Sequence, residues 1–347
     1  MKKVAFIGHS YHLKTKSSEF FLSLLQEAYE LEMIFDESWN GKEEHDLSHL
    51  DESYHAVLFY QCISPTMLAQ VTCKNVLFVP MYDQSGEEPI SYWYPWRNLK
   101  VLNFSSTLEQ KLRQWGFYTL HLRYYPQPMQ FQPQEELSVF FWHRINQITW
   151  HTVKQLLGKQ AVKSVHIHRA VDPYHQFTAP APEEEQAYQI TYSDWFETKE
   201  EYLQMLQSKS VYIAPRLKEG IGFSFLEAMA MGKIVIAPNF PTMNEYIRHG
   251  ENGFLYDPQH PQPLELGNFV KMQEQAYNSV VEGRAAWERD KTKVIQFIDS
   301  EPVKNTYFQT HPCWRYQQLD WKKELKKALK NIAPYGVVKL WQWYRQR

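Results

Sequence analysis

Along the first third of the chain, short apolar runs alternate with stretches whose apolar residues recur every three or four positions. Residues 4–8, 31–35, 56–60, 75–79 and 101–104 read as buried strands, with a helix expected near 17–29. Polar and acidic residues 39–53 read as a loop or a short helix. Across 107–115 the apolar positions return to helical spacing, and Gly116 stands where a left-handed residue ends a helix. The stretch 124–133 then holds Pro126, Pro128 and Pro133 and no period, as expected of a linker.

The alternation resumes beyond it. Strands are expected at 137–142, 164–168, 189–192, 211–214 and 233–238, and helices near 149–157 and 199–207. Residues 179–185, Ala-Pro-Ala-Pro-Glu-Glu-Glu, read as a solvated loop inside this second unit. The expected organisation is a first lobe over 1–125, a linker over 126–134, a second lobe over 135–300, and C-terminal helices with a basic, aromatic tail over 301–347. The class is α/β, with two Rossmann-like, doubly wound lobes facing one another across a cleft, the place where such sheets bind ligands.

One crossover carries most of the chemistry. Between the runs 211–214 and 233–238 lies Lys218-Glu219-Gly220-Ile221-Gly222-Phe223-Ser224-Phe225-Leu226-Glu227-Ala228-Met229-Ala230-Met231-Gly232. Its glycines allow the backbone to approach a ligand, and the helix that follows offers free N–H groups and a positive dipole end to a diphosphate. Glu219 and Glu227 need another reason, since carboxylates repel phosphate. A carboxylate accepts two hydrogen bonds at once, which suits the vicinal hydroxyls of a hexose or a ribose. Apolar neighbours surround Glu227, so its helix should be buried and its carboxylate should need partners. The plainer alternative makes Glu219 a solvated loop residue and Glu227 a surface helix residue.

The spacing of Glu219 and Glu227, within E-G-x-G-x-x-x-x-E-A-M-A-x-G, resembles the Glu-x(7)-Glu motif of retaining GT-B glycosyltransferases similar to glycosyltransferase family 4. The similarity continues through Pro238-Asn239-Phe240-Pro241-Thr242-Met243-Asn244-Glu245-Tyr246-Ile247 and Asn252-Gly253-Phe254-Leu255-Tyr256-Asp257-Pro258. The resemblance implies that Glu219 holds sugar hydroxyls, Glu227 the ribose, and residues Gly220, Ile221, Gly222, Phe223 and Ser224 the phosphates. It also implies an arginine after the first strand of the second lobe and a lysine about five residues later, clasping the diphosphate without a metal. Arg144 stands at the arginine position, but Thr149 stands at the lysine position; the nearest basic residues are His143, His151 and Lys154, and Arg216 and Lys218, next to the glutamates, could compensate. A base-recognition loop is expected at Asp194 and Trp195, where the alternative for Trp195 and Phe196 is core packing.

In the first lobe the loop after the first strand keeps only Gly8 of the glycines usual in such relatives. His9, His12 and Lys14 could meet an anionic acceptor or a phosphate, or simply be solvated. A metal is not expected there, since a site would need further ligands. Tyr82 and Asp83 stand where relatives carry an acceptor-side histidine. Asp83 is a catalytic candidate that would orient the acceptor hydroxyl, or else it caps the turn that follows.

Bulk properties narrow the partners. With 37 basic and 39 acidic residues in 347, the chain as a whole has no electrostatic footprint for nucleic acid. Cys62, Cys73 and Cys313 form no ligand pattern and read as free thiols of a reducing compartment, the cytosol by default. The apolar run after Met1 is too short for a signal peptide, and no run approaches a membrane span. The tail 321–347 interleaves Lys322, Lys323, Lys326, Lys327, Lys330, Lys339, Arg345 and Arg347 with Trp321, Tyr335, Trp341, Trp343 and Tyr344. That composition suits an anionic membrane surface, and the alternative is a helix packed back on the first lobe.

The expected function is a cytoplasmic, membrane-peripheral glycosyltransferase. It would move a hexose-type sugar, with retention and without a cofactor, from a UDP- or GDP-sugar to a lipid-linked or surface-polysaccharide glycan. The alternatives are a nucleotide-sugar epimerase or hydrolase using the same cleft, and a degenerate binding protein.

Overall fold

A computed structural model describes residues 1–38 and 41–311; the tail 321–347 and Cys313 lie outside the described residues. Twelve strands form two parallel sheets among these residues. The first sheet contains β1 (Lys2–His9), β2 (Tyr29–Asp36), β3 (Ala56–Tyr60), β4 (Val76–Val79), β5 (Lys100–Asn103) and β6 (Thr119–His121), in the order β2-β1-β3-β4-β5-β6. The second contains β7 (Ser138–Trp142), β8 (Ser164–His168), β9 (Ile190–Ser193), β10 (Val211–Ile213), β11 (Ile234–Pro238) and β12 (Gly253–Tyr256), in the order β12-β11-β10-β7-β8-β9. The second order is that of the dinucleotide-binding α/β sheets.

The continuous apolar runs arise because both faces of each sheet are covered, as parallel sheets require. Ala5, Ile7, Val57, Phe59 and Phe78 enter an outer core of the first lobe. Val139, Phe141, Val165, Ile167, Val211 and Ile213 enter the matching outer core of the second. The alternate residues, among them Val4, Phe6, Leu58, Phe140, Tyr212 and Val235, join one continuous inner cluster shared by the two lobes. The lobes are thus packed on each other through apolar side chains as well as polar ones.

The linker is not free. Its residues lie along the long helix Phe269–Asp290: Arg284 donates to the Tyr125 carbonyl (3.0 Å), Gln273 exchanges hydrogen bonds with the Gln134 backbone (3.0 and 2.8 Å), and Phe131 stacks on Tyr277. The next helix, Thr292–Asp299, returns to the first lobe. There Lys100, fully buried in β5, donates to the carbonyls of Phe297, Ile298 and Ser300 (2.9, 2.9 and 2.6 Å), and the Tyr29 hydroxyl donates to Asp299 (2.9 Å). A cation over the last carbonyls of a helix satisfies acceptors that the helix leaves unpaired.

Two local expectations change. Residues 179–185 include most of a helix, Pro182–Ala187, rather than forming a loop. Pro182 fits the first helical position, and Glu184 accepts from Trp150 Nε1 (2.8 Å) and from the Ala181 N–H (3.2 Å) while pairing with Lys154. In the loop after β1, residues Tyr11–Thr15 form a short helix. The helix near 107–115 is present as Ser106–Gln114, with Ser105 accepting from Leu108 N–H and Gly116 at φ +71° just beyond its end.

Candidate active site

The site forms where the second sheet's strand order reverses, at the carboxyl ends of the adjacent strands β7 and β10. Arg144 follows β7, and Arg216 and Glu219 follow β10. This is the position at which an open α/β sheet leaves a crevice. Asp172, on the segment after β8, joins the two arginines. Arg144 donates from Nε and Nη2 to its Oδ1 (2.9 and 2.6 Å), and Arg216 donates from Nε and Nη2 to its Oδ2 (3.1 and 2.6 Å). The Arg144 guanidinium also lies 4.5 Å from the centre of the Trp142 ring.

Arg216 reaches towards the first lobe as well, with Nη1 3.9 Å from Asp83 Oδ2. Asp83 lies on the short helix Tyr82–Ser85 after β4, and burial raises its carboxyl above the usual range while Arg216 opposes the rise. Glu219 sits among these charges, half-buried. Withdrawal from water pushes its carboxyl up to about 7; Arg216 and Arg144 pull the other way, and Asp83 and Asp172 add to the rise. Raised carboxyls beside paired arginines in a cleft are a functional-site signature.

The glycines act as the local backbone demands. Gly222 precedes the helix Phe223–Ala230 with φ +84°, and a Cβ there would lie 2.0 Å from Phe225 Cε1. Gly220 lies against the first lobe, where a Cβ would come 3.0 Å from both Met81 Cβ and Asp83 Oδ1. Lys218 pairs with Glu87 of the first lobe and lies 5.5 Å from the Phe240 ring centre. Phe223 packs its ring on Phe20 and Tyr124, and Ile221 is buried. The Ser224 position opens the same helix.

Glu227 does have a partner: Lys199 donates to its Oε1 at 2.7 Å. Asp194 pairs with Arg169 (2.8 Å). Trp195 is exposed, and Lys14 of the first lobe lies 4.9 Å from its ring centre, so this tryptophan faces across the cleft mouth. Its neighbour Phe196 stacks on His168 at 4.6 Å, within an aromatic group that includes Trp142 and Tyr202. Core packing thus describes Phe196 and exposure describes Trp195.

In the first lobe the strand order reverses between β1 and β3, and the two loops meet: His12 Nε2 and Gln61 Oε1 are 2.7 Å apart. His9 lies beside His12, with ring centres 5.5 Å apart, and burial holds both imidazoles below the ordinary histidine range. Tyr82 packs in the first lobe's outer core. Thr149, at the position where a lysine was expected, instead caps the helix Trp150–Leu157. Asp172 and Lys199 carry no sequence motif; only the Asp-Pro pair after a strand marks Asp172 as a turn residue.

Among the described residues no helix is long and apolar enough to cross a membrane. Residues 183–267 match the family model described as glycosyl transferases group 1. No curated protein sequence matches the chain. Among solved structures, the chain is similar to a sucrose-phosphate synthase from Thermosynechococcus elongatus at 15% identity and TM-score 0.58, over 85% of this chain and 98% of that one. It is similar to HepE from Anabaena, determined in complex with UDP, at 13% identity and TM-score 0.55, over 85% and 100% of the two chains. A lipopolysaccharide outer core galactosyltransferase, WaaB, aligns at 15% identity and TM-score 0.51 over 91% and 99%. At such identities the likeness is one of fold: the two facing parallel-sheet lobes are the GT-B fold.

Proposed function

We propose that this chain is a glycosyltransferase that takes its sugar from a nucleoside-diphosphate donor held in the second lobe. The observation that carries this reading is the convergence of Arg144, Arg216 and Glu219 at the β7/β10 reversal, facing Asp83 across the cleft. The matched family model covers the same loop and helix.

The chemistry follows from the charges. When the bond between the sugar's anomeric carbon and the diphosphate oxygen breaks, negative charge develops on the departing nucleoside diphosphate. Arg144 and Arg216 supply two planar forks suited to phosphate oxygens, and the helix Phe223–Ala230, which begins just after the Glu219 loop, adds the N–H groups of its first turn. Arg216 thereby takes the part that a lysine at position 149 would have had. Glu219 accepts from hydroxyls of the transferred hexose, and Glu227, whose other contact is Lys199, accepts from the ribose. Asp83, across the cleft, orients the incoming hydroxyl. Trp195 stacks against a base or a sugar at the mouth, and His9 and His12 line the acceptor side. Transfer proceeds with retention, without a metal, to a lipid-linked or surface-polysaccharide acceptor.

UDP-sugars are the first donors to test, since HepE structures hold UDP and UDP-glucose. A panel of UDP- and GDP-hexoses is incubated with the protein, with and without glycan acceptors, and nucleotide release is followed. Acceptor-dependent release is expected, and Glu219→Gln and Arg144→Ala should abolish it. Release without acceptor would instead indicate a hydrolase or epimerase, and binding without turnover a degenerate protein. Full activity in both variants would remove the site assignment.

A further inference from the structure

Asp172 lies between the two arginines of the donor site, and its role rests on the donor-site reading above. A guanidinium grips phosphate through two parallel N–H donors, and the edge formed by Nε and one terminal nitrogen is such a fork. In both Arg144 and Arg216 that edge is turned onto Asp172, one arginine on each carboxylate oxygen. The backbone of Asp172 is itself fixed, its N–H donating to the Arg144 carbonyl at 2.9 Å, and Gln176 N–H donates to Asn146 Oδ1 at 2.9 Å. The carboxylate can therefore leave the arginines by side-chain rotation without moving its segment.

We propose that Asp172 is an internal stand-in for the donor's diphosphate: it holds Arg144 and Arg216 in register, side by side, and is displaced from their forks when the diphosphate binds. Two observations favour displacement over permanent pairing. All four of the fork donors on the two guanidiniums are engaged by this one carboxylate. Asp83 already lies 3.9 Å from Arg216 Nη1, so a diphosphate added without moving Asp172 would find both fork edges taken and a second acidic group beside Arg216. Asp172 is a positioning residue that also sets affinity. Pre-aligned arginines lose less freedom on binding, while breaking the pair weakens the donor complex and eases release of the nucleoside diphosphate after transfer.

The test is calorimetric titration of UDP, inorganic diphosphate and uridine into the full chain, its Asp172→Asn variant and its Asp172→Ala variant. With the competing carboxylate gone, UDP and inorganic diphosphate should bind about tenfold more tightly, and uridine affinity should be unchanged. A purely structural role would weaken all three. In the unmodified protein, the Nε–H resonances of Arg144 and Arg216 should shift as inorganic diphosphate is added, a readout that survives if either variant fails to fold. If the unmodified chain binds UDP but the variants bind it no more tightly, or the two resonances stay in place, the stand-in role is overturned. If the unmodified chain binds no nucleoside diphosphate at all, the donor-site reading falls, and this inference with it.

Discussion

Glu245 of the second lobe caps a helix of the first, accepting from the Ser105 hydroxyl at 2.7 Å and from the Ser106 and Thr107 N–H groups at 2.7 and 3.1 Å. A carboxylate at the exposed N–H groups of a helix start is favoured both by hydrogen bonding and by the helix dipole. Because the two partners belong to different lobes, this contact is one of the ties between them, beside the shared apolar cluster and the Lys218–Glu87 pair. Glu245→Ala should cost about 1–2 kcal/mol of stability. It should also widen the distribution of lobe separations, read as an increased radius of gyration in small-angle scattering. An unchanged radius would mean that the shared apolar cluster holds the lobes alone.

Glu219 makes stability depend on pH with a definite sign. Its carboxyl is raised from 4.5 to about 7 in the folded protein. Between these values the unfolded chain has released the proton and the folded chain retains it, so stability falls as pH rises from about 4.5 to about 7 and is level above. Below 4.5 the contribution is fully present. Glu219→Gln removes this slope, and above pH 7 the variant should be more stable than the parent by on the order of 3 kcal/mol. Melting temperatures of the two proteins across pH 4.5–8 check it; parallel curves would show that Glu219 ionises normally.

Much of this architecture is readable from the chain because a parallel sheet covered on both faces writes itself as a continuous apolar run. The strand Ala56–Tyr60 and the helix Lys199–Gln207 lie where the pattern puts them. The short β6, Thr119–His121, lacks such a run, and its Thr119 is held by Asn103 and Glu109 rather than by apolar burial. The helix Pro182–Ala187 depends on Trp150 and Lys154, some thirty positions away, so local composition reads it as a loop. The same reason hides Asp172. Arg144 and Glu219 announce themselves by motif, but the carboxylate between the arginines is 28 residues from one and 44 from the other. Only the closing of the sheet at β7 and β10 brings the three together.

Lys100 ties the returning helix Thr292–Asp299 to the first lobe through three carbonyls, although its surroundings lower its ammonium to about 8. Burial is the larger cause, partly offset by Glu301 and Asp299. Lys100→Met fills a similar volume but leaves the three carbonyl acceptors without this donor. The expected loss is about 2–3 kcal/mol, seen as a lower denaturation midpoint. Limited proteolysis should then cut after residue 291, where the helix detaches, before the sheets unfold. Cleavage spread evenly over the chain would show that the contact is not what seats this helix.

Gly220 and Gly222 stand two residues apart, and the physics of substituting them differs. At Gly222 an alanine meets both a left-handed backbone, about 1–2 kcal/mol for an L-residue, and the Phe225 ring 2.0 Å from its Cβ. Gly222→Ala should therefore displace the start of the helix Phe223–Ala230, lowering the melting temperature and weakening UDP binding together. At Gly220 the backbone is unstrained, and the added Cβ instead approaches Met81 Cβ and Asp83 Oδ1 at 3.0 Å, both in the opposite lobe. Gly220→Ala should lower the melting temperature less than Gly222→Ala does, keep UDP affinity, and slow transfer by disturbing the approach of Asp83 to the donor loop. Equal losses of stability in the two variants would show that the loop, rather than the lobe contact, is what Gly220 serves.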